Sequence, residues 1–185
     1  MQRIRFEFDN AGGQRLAGPL SLPSFGTRAD WAFALFAHCF TCGKDLPGAS
    51  RISRALAQRG IAVLRFDFTG LGGSEGDFAN TNFSSNVDDL LAAAAALERE
   101  WRAPGLLIGH SLGGAAALAA AHRLPSVQAI ATIGAPASAG HVRHLFAPQE
   151  EAIRGQGETM VQIGARRFTI RRHLLDALDA HADAK

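Results

Sequence analysis

Hydrophobic and polar residues follow two different periods along this chain. Near the amino end they alternate, and Ile4, Phe6 and Phe8 share one side of a strand predicted at residues 3–9. A turn at residues 10–13 and a second strand at residues 15–22 complete a predicted antiparallel hairpin. The chain therefore opens with two paired strands.

Beyond residue 30, short continuous apolar runs alternate with helical patterns. The runs at residues 31–37, 61–67, 105–108 and 127–133 predict strands buried on both faces of a parallel sheet. The segments between them predict helices at residues 48–58, 85–99 and 111–123, the second opening with a capping box of Ser85 and Asp88. This alternation predicts a doubly wound α/β sheet with its ligand chemistry at the carboxyl ends of the strands.

The pattern changes again after residue 133, where no further buried parallel strand is visible. A polar helical stretch at residues 148–155, a hairpin of residues 159–163 and 167–170, and a final helix at residues 171–181 are predicted. We expect one domain over residues 1–185, with a core at 1–136 and a smaller cap-like part at 137–185.

Composition narrows the functional classes. The chain has 185 residues, 47% of them hydrophobic and 19% charged, which is typical of one globular domain. Its net charge is only +2 and no basic run stands alone, so we expect no nucleic-acid partner. The densest basic stretch is expected to be the solvated side of the hairpin and last helix: Arg166, Arg167, Arg171 and Arg172.

Location follows from two further features. There is no 18-residue apolar run and no signal-peptide core at the amino end, so we expect no membrane partner. Cys39 and Cys42 are the only cysteines, which is consistent with a reducing compartment. The expectation is a cytoplasmic protein without a cofactor.

The most specific motif is Gly109-His110-Ser111-Leu112-Gly113, which matches G-x-S-x-G. It lies between a predicted strand and an alanine-rich helix, the order required of a nucleophile elbow. In an elbow Ser111 is the nucleophile, and the Leu112 amide is one donor of an oxyanion hole. The simpler interpretation, a serine helix cap, accounts for Ser111 and Gly113 but not for Gly109.

Three further stretches carry a resemblance: residues 38–45, which read HCFTCGKD, residues 65–70 and residues 82–86. With the elbow they resemble the α/β-hydrolase superfamily over residues 3 to about 136, and more narrowly the hydrolase half of proteins fused to an OsmC-type peroxidase domain. The resemblance implies a three-layer sandwich with a mostly parallel sheet and an antiparallel amino-terminal hairpin.

The same resemblance implies a mechanism. The loop after the third strand would supply the second oxyanion donor, the Phe40 amide, with His38 and Cys39 at the pocket rim. The expected reaction is hydrolysis of small carboxylic esters through an acyl-serine intermediate, with no metal or cofactor.

The acid and histidine of a catalytic triad are not identifiable. They should follow the nucleophile in the order acid, then histidine. The acids after Ser111 are Glu150, Glu151, Glu158, Asp176, Asp179 and Asp183, and the histidines are His122, His141, His144, His173 and His181. None lies after a predicted parallel strand; His144 is the least unfavourable substitute base.

Residues 158–178 resemble the cap region that precedes the acid and histidine strands in the fused hydrolases. The expectation is a truncated, weakly active hydrolase that lacks the last strands. The strand at 127–133 would then be an uncovered apolar edge, which predicts a homodimer through that edge.

Other interpretations stay open. Cys39-x-x-Cys42 matches a redox pair or half a zinc site, but no helix starts at Cys39 and two zinc ligands are missing. The glycine-rich residues 70–76 lack the sixth-position glycine of a dinucleotide fingerprint. Asp67 is expected to be structural, with a role as triad acid as the alternative. The remaining alternatives are a catalytically silent module that associates, and a thiol-based redox protein.

Overall fold

Six strands form one mixed sheet and two more form a separate hairpin in the computed structural model, which describes residues 1–181. The strands are Gln2–Asp9 (β1), Arg15–Leu22 (β2), Ala32–Ala37 (β3), Ile61–Arg65 (β4), Leu106–His110 (β5), Ala129–Ile133 (β6), Glu158–Ile163 (β7) and Arg166–Arg171 (β8). The helices are Pro47–Ala57 (α1), Phe83–Glu100 (α2), Leu112–Ala121 (α3), Glu150–Gln156 (α4) and Arg172–Ala180 (α5).

The sheet has the order β1-β2-β4-β3-β5-β6. β1 pairs antiparallel with β2 over its whole length, and β2 pairs antiparallel with β4. The pairs of β3 with β4, β3 with β5 and β5 with β6 are all parallel. The predicted α/β class, with a mostly parallel sheet and an antiparallel opening hairpin, is confirmed.

Alternate side chains of β3 fill two different cores. Phe33 and Leu35 join the larger core, which lies between the sheet and helices α2 and α3. Ala34 and Phe36 point to the other face and pack with Ala49 of α1. Helices therefore cover both faces of the sheet, because each buried strand carries apolar side chains on both sides.

The segment after β6 packs onto the face that carries α2. β8 contacts the 3-10 turn Phe78–Asn80, and α5 contacts α2. Buried residues of this segment belong to the larger core: Val142, Phe146, Ile153, Val161, Ile170, Leu174, Leu175 and Leu178. The predicted helical stretch, hairpin and final helix are all present, with α4 starting two residues later than predicted.

The predicted start of α2 and its predicted capping box were both wrong. α2 starts at Phe83 and not at Ser85, because the Asn82 side chain accepts a hydrogen bond from the Ser85 amide at 2.9 Å. The Ser85 hydroxyl in turn accepts from the Asn82 amide, so the capping box joins these two residues, without Asp88.

β6 was predicted as a buried strand and, where no further strand follows, as an uncovered apolar edge; within residues 1–181 the structure shows the uncovered edge. All five of its residues are exposed, because β5 covers one edge only and α3 leaves both faces partly open. β6 is therefore an edge strand, and its composition, Ala-Ile-Ala-Thr-Ile, carries no charge.

Candidate active site

Ser111 alone connects the end of β5 to the start of α3. Its backbone has φ 53° and ψ −126°, and it is the one non-glycine residue with positive φ in residues 1–181. Its side chain caps no amide of α3, so the simple helix-cap interpretation does not hold. A serine in this conformation is strained, and such strain is concentrated at functional sites.

Three glycines make this turn possible because no side chain fits at their positions. A Cβ on Gly109 would lie 2.3 Å from the Gly114 Cα, and one on Gly113 would lie 2.2 Å from the His38 carbonyl oxygen. A Cβ on Gly114 would lie 2.6 Å from the Ala135 Cβ. The start of α3 is therefore in close contact with the end of β5 and with the loop after β3.

That loop begins with a tight turn over Cys39-Phe40-Thr41-Cys42. The Cys42 amide donates to the Cys39 carbonyl oxygen at 3.2 Å, and a disulfide joins the two cysteines, whose Cα atoms are 5.3 Å apart. The structure therefore pairs the two cysteines, which the sequence did not predict. A turn of four residues brings its ends together without any helix at Cys39.

Phe40 is held by its ring, which is 7% exposed. The ring packs edge-on against Phe78 at 5.5 Å between centroids and lies 6.5 Å from the Phe146 ring. Within residues 1–181, neither the Phe40 amide nor the Leu112 amide donates a hydrogen bond to another protein group. Both amides are therefore free to donate a hydrogen bond to a bound acceptor.

His38 was expected at the pocket rim, and the structure corrects this. Its side chain is 1% exposed; Nδ1 donates to the Cys39 carbonyl oxygen at 2.8 Å, and Nε2 accepts from the Phe68 amide at 3.3 Å. These contacts define a neutral imidazole. Burial lowers the pKa of His38, whereas the Cys39 hydrogen bond and the nearby Asp67 charge raise it. The effect of burial is the larger, so the net pKa is lowered. Only Cys39, half-buried, stays near the surface.

Asp67 lies below the loop and fixes its far end. Its carboxylate accepts from the Lys44 amide at 2.7 Å, the Lys44 ammonium at 2.6 Å and the Gly73 amide at 2.9 Å. Burial raises the pKa of Asp67, but the hydrogen bonds from Gly73 and Lys44 and the ammonium charge outweigh it, so the net pKa is lowered. This geometry favours the structural interpretation of Asp67.

Sequence reasoning gave Lys44 no role, although it is the partner of Asp67. The available signal was a lone lysine in the loop after β3 together with an aspartate at the end of β4. Lys44 and Asp67 thereby tie together the ends of neighbouring parallel strands.

The histidines considered as bases lie in other settings. His141 and His144 are exposed residues of one 3-10 segment, with ring centroids 4.7 Å apart. His173 accepts at Nδ1 from the Asn82 side-chain amide and donates from Nε2 to the Ala79 carbonyl oxygen at 2.8 Å, and His122 caps the carboxyl end of α3. In the part of the chain that the structure describes, no histidine is hydrogen-bonded to Ser111 and no group of three metal-ligating side chains occurs.

The sheet order, the helices on both faces and the strained serine between strand and helix define an α/β-hydrolase. A family model described as serine aminopeptidase, S33 (Hydrolase_4) matches residues 48–170. The chain belongs to this family of α/β-hydrolases, as the sequence resemblance implied, and is by family a hydrolase. No functionally curated protein matches the chain.

Solved structures agree with this assignment. The esterase domain of a Rhodothermus marinus protein is 46% identical, with a TM-score of 0.71 over 97% of this chain and 69% of that domain. XC6422 from Xanthomonas campestris, an α/β serine hydrolase without a lid, is 26% identical, with a TM-score of 0.64 over 74% and 63% of the two chains. Est1E from Butyrivibrio proteoclasticus, solved with ferulic acid bound, shares the fold at 18% identity, a TM-score of 0.74 and coverage of 95% and 70%.

Among the helices of residues 1–181, none combines the length and the apolar character needed to span a bilayer.

Proposed function

We propose that this protein is a serine esterase that uses Ser111 as its nucleophile and acts on small carboxylic esters. The observation that carries the proposal is the backbone of Ser111, which stands at positive φ between β5 and α3 with two unbonded amides, Phe40 and Leu112, in the adjoining turns. The 46% identity to an esterase domain supports the ester class.

The Ser111 oxygen attacks the acyl carbon, the alcohol leaves, and water then releases the acid from the acyl-serine. The Phe40 and Leu112 amides receive the oxyanion that forms at each step. Removing one such donor typically costs about 10²- to 10³-fold in rate.

Neither His38 nor Asp67 is available as the general base. His38 is buried and both of its ring nitrogens are engaged, and Asp67 is saturated by Lys44 and Gly73. Without a base, binding and the oxyanion hole alone give about 10³- to 10⁴-fold acceleration over water. We therefore propose that residues 1–185 by themselves hydrolyse esters slowly.

The test is labelling with a fluorophosphonate, followed by intact-mass analysis. We expect one slowly formed adduct on the wild-type chain, because Ser111 has no base among the described residues, and none on Ser111→Ala. The matched control is Ser84→Ala, which removes an exposed hydroxyl from α2 and should label like the wild type. Labelling that persists in Ser111→Ala, or no labelling of the folded wild-type chain, contradicts the proposal.

Substrate size is tested with two nitrophenyl esters. Faster Ser111-dependent hydrolysis of the acetate than of the octanoate supports the small-ester class. The reverse order overturns that part of the proposal and leaves the nucleophile in place.

A second candidate function is association without catalysis, and one observation favours it. β6 is an uncharged edge strand exposed at all five positions, and such edges pair with other strands. We propose that β6 pairs with β6 of a second copy. Sedimentation velocity at tens of micromolar should then detect a dimer.

Ile130→Lys places a charge on this edge strand, which opposes pairing with a second copy, so this variant should be monomeric. The monomer should tolerate the change because the Ile130 side chain is 37% exposed. Met160→Lys adds the same charge at an exposed position of β7 and should still dimerise. A wild-type chain that sediments as monomer, or an Ile130→Lys chain that still dimerises, contradicts the proposed interface.

A further inference from the structure

The turn that presents the Phe40 amide is closed by two bonds. Cys39 and Cys42 are the first and last residues of the turn, and they are joined by the backbone hydrogen bond between them and by their disulfide. Phe40 is the second residue of the turn. Any change in how the turn is closed therefore acts on the peptide unit that carries the Phe40 amide.

Groups on either side of the turn are fixed by other means. His38 is buried, and its carbonyl oxygen lies against Gly113 of α3. On the far side Lys44 is bound to Asp67 through both its amide and its ammonium group. Opening the disulfide would leave these anchors in place, so its effect falls on the short segment between them.

The cysteines are also less buried than the residues on either side of Cys39. Both are half-buried, while His38 and Phe40 beside them are buried. The ends of the turn therefore lie closer to solvent than these buried residues, and exchange with a small disulfide or thiol requires such access.

We infer that Cys39 and Cys42 are a reversible thiol–disulfide modification site that sets the position of the Phe40 amide. The disulfide form holds the amide in place for the oxyanion, and the dithiol form holds it less firmly. This inference rests on the proposed function in that Phe40 is taken as an oxyanion donor. It describes control of a hydrolase, and it gives the cysteines no redox activity of their own.

The co-reactants are a small disulfide and its thiol, such as oxidised and reduced glutathione. One cysteine thiolate attacks a sulfur of glutathione disulfide, which forms a mixed disulfide and releases one glutathione. The second cysteine thiolate then attacks the protein sulfur of the mixed disulfide and releases the second glutathione. The two cysteines lose two protons and two electrons, and glutathione disulfide gains them.

The experiment measures three quantities on the wild-type chain across a series of glutathione buffers at one pH. They are the number of free thiols, counted by alkylation and intact mass, the rate of fluorophosphonate labelling of Ser111, and the position of the Phe40 amide resonance. We expect the labelling rate to fall by about tenfold on reduction, less than the loss of a whole donor costs. Rate, resonance and thiol count should share one midpoint.

Two variants are compared with the wild-type chain in the same series of buffers. Cys42→Ser cannot close the disulfide and should label slowly in every buffer. Thr41→Ala changes the same turn but keeps both cysteines, so it should keep the dependence on the buffer.

Three outcomes overturn the inference. One is a disulfide that glutathione neither opens nor forms. Another is a thiol count that changes while both the labelling rate and the Phe40 resonance stay constant. The third is a Cys42→Ser chain that labels as fast as the oxidised wild type. If Ser111 labels in neither state, the proposed function fails, but a Phe40 resonance that follows the thiol count still supports control of the turn.

Discussion

The carbonyl oxygen of His38 occupies the place where a side chain on Gly113 would begin. A Cβ on Gly113 would lie 2.2 Å from that oxygen and 2.5 Å from the carbonyl oxygen of Ala37. Both neighbours are backbone atoms of a buried strand end, so neither can move aside. This contact sets how closely the first turn of α3 approaches the loop that carries Phe40.

Replacing Gly113 by alanine should therefore separate these two segments. We expect Gly113→Ala to lower the free energy of unfolding by about 3 kcal/mol, as overpacking does. It should also slow fluorophosphonate labelling by about 10²-fold, because small misplacements of reacting groups are costly. Urea unfolding and labelling rates measure the two effects.

The control for this variant is Gly155→Ala in α4. A Cβ there has no neighbour within 4 Å, and alanine is favoured over glycine inside a helix. Gly155→Ala should raise stability by about 0.5–1 kcal/mol and leave labelling unchanged. Equal destabilisation by both variants would refute the steric account of Gly113.

Ser111 is held in a conformation that glycine adopts without strain. Ser111→Gly and Ser111→Ala both remove the hydroxyl, but only glycine relieves the positive φ. We expect the glycine variant to be more stable than the alanine variant by about 1–2 kcal/mol. Thermal unfolding of the two variants measures the difference, and equal melting temperatures would mean that Ser111 is unstrained.

The ion pair of Lys44 and Asp67 predicts a pH dependence of stability. The Asp67 side chain is 1% exposed and bound by three donors, so Asp67→Asn should cost about 3 kcal/mol at pH 7. Asp45→Asn is the control. Asp45 also faces Lys44, at 3.4 Å, but its side chain is 73% exposed, so its loss should cost less than about 1 kcal/mol.

The sign of the pH effect follows from the lowered pKa of Asp67 in the folded state. A lowered pKa stabilises the folded chain above the unfolded pKa of about 3.9 and loses that contribution as pH falls through the folded value. The difference in unfolding free energy between wild type and Asp67→Asn should thus be constant above about pH 5 and shrink below pH 4. A difference that grows on acidification would contradict this.

Phe146 connects the segment after β6 to the Phe40 turn. It is fully buried, and its ring lies 6.5 Å from the Phe40 ring. Phe146→Ala should lower the free energy of unfolding by about 3–5 kcal/mol and slow labelling of Ser111. Phe25→Ala, at a ring that is 54% exposed, should change stability by less than about 0.5 kcal/mol.

The sequence by itself determined where the strands and main helices lie and that Ser111 stands in a tight turn between a strand and a helix. All eight strands and the main helices lie where apolar periodicity predicts them, since periods of two and 3.6 residues are written in consecutive side chains. Gly109, Gly113 and Gly114 around Ser111 mark a turn without room for side chains, and each of them does meet a close neighbour.

Tertiary structure decided what lies next to what, because burial and contact depend on residues distant in sequence. His38 is buried, and the Phe68 amide, from the loop after β4, supplies the hydrogen bond that its buried Nε2 accepts. Lys44 gains its role from an aspartate 23 residues away. β6 has the composition of a buried strand, so its own residues do not decide between a covered and an uncovered position; it is exposed because no described strand pairs with its outer edge. Periodicity records which side chains are apolar, whereas the partners that cover them are set by the packing of the whole sheet.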